Sequence, residues 1–215
     1  MRIIFKTIIN KTRGTGHFYR CLNFAKFLKK NHKNQVIFFT NKLNKRFKNN
    51  IKKNLFKHET TSSDQNFLKK IQKIKFTKYI IIDDPDFSLK FEKKLNKLRY
   101  KICVIEDICK KHSADRIINQ NYVNKKKLIF LNKYTKKFFI GPEYVLNLNK
   151  IKKSKSQSKR NKKVLIYMGG TDSKNYTQKI LKSLNYPEFE DYKFVVIKGI
   201  INDKIKENTL LAKNV

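Results

Sequence analysis

Four apolar, β-branched runs constrain this chain more than any other feature: "RIIFKTII" at 2–9, "QVIFFT" at 35–40, "YIIIDD" at 79–84 and "KICVIED" at 101–107. Runs that are apolar at nearly every position, and not at alternate ones, belong to strands covered on both faces. The segments between them follow a helical period instead, as at Phe18, Cys21, Leu22, Ala25, Phe27 and Leu28, and again through 65–75 and 87–98. Strands alternating with amphipathic helices predict an α/β fold with mostly parallel sheets. "ADRIINQNY" at 114–122 adds a further short apolar stretch.

Acids close two of the runs, Asp83 with Asp84 and Glu106 with Asp107. Ligands of open α/β sheets bind at the carboxyl ends of strands, so these acids, with Asn119, Asn121 and Tyr122, line an expected cleft. Between the first strand and the first helix lies "TRGTGHFYR" at 12–20. Gly14 and Gly16 allow a tight turn and a close approach to an anion, and His17 and Arg20 fall one turn apart on the same helix face. The loop is not a dinucleotide fingerprint, because the sixth place lacks glycine, and no Gly-Lys-Ser/Thr follows to make it a Walker loop.

At 150–163 the sequence becomes "KIKKSKSQSKRNKK", too polar to bury itself, and reads as a linker. A second strand, glycine loop and helix begin with "VLIYMGGTDSKN" at 164–175, where Gly169 and Gly170 turn the chain and Thr171 and Asp172 cap a helix running to about Leu184. "YKFVVIKG" supplies one more strand. The expected organisation is a Rossmann-like domain over 1–150, a linker over 151–162 and a partial nucleotide-binding Rossmann-like domain over 163–215. So short a second domain cannot cover both faces of its sheet, which predicts self-association or completion by another chain. If the two glycine loops face each other, both helix N-termini point into one cleft suited to a diphosphate.

The net charge of +36 invites a nucleic-acid reading, but 45 Lys stand against 7 Arg and are spread over every helix. Nucleic-acid readers favour the bidentate guanidinium, and a Lys-, Asn- and Ile-rich chain matches A- and T-rich codons, so nucleic acid is not expected as the primary partner. No apolar run reaches the roughly eighteen residues of a membrane span, and the start lacks the features of a signal peptide, which predicts a cytoplasmic protein. Cys21, Cys103 and Cys109 have neither disulfide density nor zinc-site spacing and are read as reduced and structural. No metal or cofactor is expected.

"GTGHFYR", "YIIIDD", "VIED", "ADRIINQNY", "GPEY" and "MGGTDSKN", in this order, resemble the nucleotide-sugar hydrolases of pseudaminic acid biosynthesis, PseG and its SpsG-like relatives. The resemblance covers essentially the whole chain and implies a GT-B-like fold of two Rossmann-type units, the second incomplete here. It further implies release of UDP from UDP-2,4-diacetamido-2,4,6-trideoxy-β-L-altropyranose by water attack at the anomeric carbon. His17 would then be the base that activates the water, with Gly14, Gly16 and Arg20 near the diphosphate and Asn121 and Tyr144 facing the sugar. Gly169, Gly170, Thr171 and Asp172 would belong to the nucleotide half of the cleft. Flagellin or surface-glycan modification would be the setting. Two alternatives stay open: a GT-B-type glycosyltransferase using a UDP-sugar donor, and an inactive shortened relative acting as a binding protein.

Overall fold

The β-branched runs form a layered sheet in the computed structural model, which describes residues 1–31, 34–124, 126, 129, 135–146, 162–184 and 187–199. The chain divides into two units: Met1–Ile9 with His17–Asn149, and Asn10–Gly16 with Lys150–Val215. Apart from Lys162, the linker expected at 151–162 lies outside the described residues.

The first unit carries strands β1 (Arg2–Thr7), β2 (Gln35–Thr40), β3 (Lys57–Thr60), β4 (Thr77–Asp83), β5 (Lys101–Ile105), β6 (Ala114–Asn119) and β7 (Thr135–Ile140). Their order is β3-β2-β1-β4-β5-β6-β7, and every neighbouring pair is parallel. Helices α1 (Gly16–Asn31), α2 (Lys45–Lys53), α3 (Asp64–Gln72) and α4 (Leu89–Lys97) cover the sheet. This is a Rossmann-like α/β fold, and its strand order reverses between β1 and β4. That reversal places the crevice for a ligand at the carboxyl ends of those two strands.

Each face of the sheet packs its own helices. Ile4, Phe39, Ile80, Ile82 and Val104 meet Phe67 and Ile71 of α3 and Leu95 of α4. On the other face Phe5 stacks on Phe38 at 5.2 Å, and Phe18 of α1 meets Phe47 of α2 at 5.4 Å. Burying such side chains contributes roughly 1.5–3 kcal/mol each. On the α1 side, an apolar trough of about 660 Å³ is bordered by Phe24, Phe27, Ile81, Cys103, Phe139 and Tyr144.

Three elements carry no apolar run in the sequence. In α2 only Phe47 and Ile51 are buried, and the helix starts where the Asn44 side chain accepts from the Phe47 N–H at 3.2 Å. Strands β3 ("KHET") and β7 ("TKKFFI") are the two edges of the sheet and need no continuous apolar stretch.

In the second unit β8 (Lys163–Ile166) pairs in parallel with β9 (Lys193–Val196), and α5 (Tyr176–Ser183) packs on them through Ile166, Leu181 and Phe194. Leu165, Val195 and Ile197 remain exposed. In the glycine-bearing loop 10–16 the Asn10 side chain accepts from the backbone N–H groups of Thr12 and Arg13, at 3.1 and 2.6 Å, and Gly14 turns the chain at φ +73. An Asx turn followed by a left-handed residue explains the asparagine and one of the two glycines.

Candidate active site

The first turns of α1 bring His17 and Arg20 over the carboxyl end of β4. His17 Nδ1 stands 2.7 Å from Asp83 Oδ1. The Arg20 guanidinium grips the same carboxylate twice, Nε to Oδ2 and Nη2 to Oδ1, both at 2.7 Å. It reaches Asp107, just beyond β5, through Nη1 at 2.8 Å and Nη2 at 3.1 Å. Asp83 is buried and Asp107 is 39% exposed, so one carboxylate is structural in character and the other faces solvent. The Cys21 thiol also donates to Asp83, at 3.7 Å.

Electrostatics keep this group fixed. Burial alone would weaken the Arg20 proton, but hydrogen bonds and charge from Asp83 and Asp107 outweigh it and hold the guanidinium charged. Burial, then the charge of Asp83, pushes the Cys21 thiol well above its usual range, and burial pushes Cys103 to about 12. All three cysteines are free thiols, and these two are unreactive in that state. The neighbouring Asp84 turns to the opposite face, where it pairs with buried Lys6 at 2.5 Å.

Arg20 Nη2 also lies 3.2 Å from Nδ1, but it already donates to Asp83 at 2.7 Å. A carboxylate that only accepts, 2.7 Å from Nδ1, favours the tautomer with its proton there and the lone pair on Nε2. Among the described residues Nε2 has no partner, and the side chain is 14% exposed. A solvent-reaching imidazole nitrogen backed by a buried carboxylate can take a proton from water or from a substrate hydroxyl.

The other residues singled out in the sequence are distributed more widely. Asn121 joins the cluster weakly, its amide 3.4 Å from the Asp107 carbonyl and 3.5 Å from its carboxylate. Tyr144 does not: it sits in a 3₁₀ turn at Pro142–Tyr144, meets Phe139 edge-on at 5.4 Å and lines the apolar trough. Gly16 opens α1, and a Cβ there would meet nothing within 4 Å, so packing does not demand this glycine. Gly169 has φ +77, and Gly170 and Thr171 continue the turn after β8. Asp172 is buried, and its carboxylate accepts from the N–H groups of Tyr176 and Thr177 at 2.8 and 3.0 Å, which makes it the cap of α5.

Sequence reasoning placed Asp83 and Asp107 at strand ends without a role. Their signal was present: acids closing two strands beside a His-x-x-Arg helix start. Arg20, read as a phosphate ligand, spends most of its N–H groups on these two acids. Among the described residues no group of three or more His, Cys, Asp or Glu could hold a metal ion, and no helix is long and apolar enough to cross a membrane.

Fold and site together define a Rossmann-like α/β unit with a histidine–carboxylate pair at its switch point. No family model matches the sequence. The chain is similar to an uncharacterized protein of Methanocaldococcus jannaschii, 32% identical over 211 residues and 93% of this chain. It spans 43% of that relative's length.

Proposed function

We propose that this chain is a nucleotide-sugar hydrolase, releasing UDP from a UDP-linked diacetamido-trideoxy sugar in the cytoplasmic synthesis of pseudaminic or a related nonulosonic acid. The observation that carries the reading is the 2.7 Å contact of His17 Nδ1 with Asp83, which leaves Nε2 free at the carboxyl end of a parallel sheet. Nε2 takes a proton from water as the water oxygen bonds to the anomeric carbon. The bond from that carbon to the diphosphate oxygen breaks, and its electron pair leaves with UDP. Asp83 stabilises the resulting imidazolium, and Arg20 holds Asp83 in place. The resemblance of the motifs to the PseG-type hydrolases supplies the substrate class.

The experiment is to incubate the purified chain with the UDP-sugar and no acceptor, following UDP and free sugar. Stoichiometric appearance of both is the expected result. UDP release only in the presence of an acceptor would reassign the chain to sugar transfer, and absence of release in both arms would overturn the proposal.

A further inference from the structure

The 106–113 loop between β5 and β6 folds around two buried carboxylates. Glu106 accepts from the N–H groups of Cys109 and Lys110, at 2.9 and 3.1 Å, and from the Asn119 amide at 3.3 Å. Glu92 of α4 accepts from the Ser113 N–H at 2.6 Å. Between them lies His112, Nδ1 2.8 Å from Glu92 Oε1 and Nε2 3.5 Å from Glu106 Oε2. All three side chains are all but sealed from solvent, at 1–4% exposure.

Nδ1 hydrogen-bonds Glu92, whereas Nε2 makes no hydrogen bond and meets Glu106 Oε2 only at ion-pair distance, so it is the charge of two carboxylates flanking one sealed ring that favours the doubly protonated form. Burial opposes that charge, but Glu106 and Glu92 outweigh burial and raise the proton affinity of His112 above the usual imidazole range. Glu106 answers in kind: burial works against its charge, yet His112 and the Lys110 N–H hold it below the usual carboxylate range. The other charges nearby are turned elsewhere. The Lys110 ammonium donates to the Pro85 carbonyl, and Asp115 at the start of β6 faces Lys101 and the Ile102 N–H.

Glu106 is followed directly by Asp107, the solvent-facing partner of Arg20. We propose that His112, held as an imidazolium between Glu92 and Glu106, is a positioning residue for the candidate active site. It fixes the 106–113 loop so that Asp107 meets Arg20, and Arg20 keeps Asp83 against His17. The consequence for turnover rests on the proposed hydrolysis; the clamp itself does not. Deprotonation of His112 turns a lone pair toward one of the two carboxylates, which loosens the loop and releases the contacts of Arg20 with Asp107 while those with Asp83 remain.

The test is ¹⁵N NMR of histidine-labelled protein at about pH 8, where an ordinary imidazole is neutral, with the His112 signal assigned by its loss in His112→Gln. Both ring nitrogens of His112 are expected to be protonated, and the Arg20 guanidinium protons to exchange slowly until His112 titrates. In Glu106→Gln, which keeps shape and one acceptor oxygen, the titration moves down by about 1–3 pH units. Arg20 exchange and the alkaline limb of UDP release move with it. A neutral His112 ring at that pH overturns the proposal, as does Arg20 exchange that ignores the titration. Intact coupling in a protein that releases no UDP leaves the clamp standing and removes the hydrolysis.

Discussion

His17 and His112 both set Nδ1 against a carboxylate, at 2.7 and 2.8 Å, and differ in what faces the other nitrogen. Around His17 no partner lies there among the described residues, and the side chain reaches solvent; around His112 it is a second buried glutamate. On the readings proposed above, one ring has a lone pair to offer and the other has none, so the same pairing would suit a base in one place and a fixed charge in the other. The number of acids around an imidazole, and its access to water, decide which it becomes.

The sharpest way to break this contrast is His17→Asn. Loss of a general base costs about two to four orders of magnitude in rate, and UDP release is expected to fall by that much with the melting temperature nearly unchanged. Equal loss of activity and folding would place His17 with His112 as a structural residue. Asp83→Ala leaves the buried guanidinium of Arg20 without its main partner, and a buried pair broken from one side costs about 3–5 kcal/mol. Asp107→Ala removes the exposed partner and costs about 1 kcal/mol or less. Urea denaturation of the two variants checks the ordering.

A weaker effect separates the histidines by pH. His112 binds its proton more tightly folded than unfolded, so its stabilisation is complete below about pH 6.5 and fades as pH rises through the higher folded value. Glu106 is held below its usual range, so its contribution is present above about pH 4.3 and fades as acid titrates the folded form. His58, whose proton burial and then Lys48 weaken, acts oppositely to His112 and loses stability on acidification. Denaturation of His112→Gln and wild type across this range should therefore converge on the alkaline side. The smallest effect lies outside both sites: Leu55, exposed at φ +56 in the turn from α2 to β3, strains the backbone. Leu55→Gly is expected to raise stability by about 0.5–1 kcal/mol in a thermal melt.

The sequence made the central strands legible because a strand covered on both faces must be apolar at successive positions. Edge strands β3 and β7 face that demand on less of their surface, and α2 needs only Phe47 and Ile51 to hold it, so periodicity does not reveal them. His17 and Arg20 stood out beside two rare glycines. Asp83 and Asp107 were visible as strand-end acids, but their role depends on β4 lying next to β1, a long-range pairing that no local pattern encodes. The Glu92–His112–Glu106 chain was silent for the same reason at one of its ends: Glu92 lies 20 residues from His112 along the chain, although Glu106 lies only six away.

The turns that lead into β3, β4 and β5 hold Leu55, Phe76 and Arg99 at φ +56, +60 and +61, where helix exits ordinarily place glycine. Every glycine codon begins with two guanines, and a coding sequence drifting toward adenine and thymine discards those triplets first. The chain has six glycines among 215 residues. A glycine-poor composition thus goes together with left-handed torsion angles on bulky side chains. Two of the six glycines, Gly14 at φ +73 and Gly169 at φ +77, stay near these angles. In the loop after β1 and the loop after β8 the chain uses glycine at an angle that three of its helix exits leave to Leu, Phe and Arg.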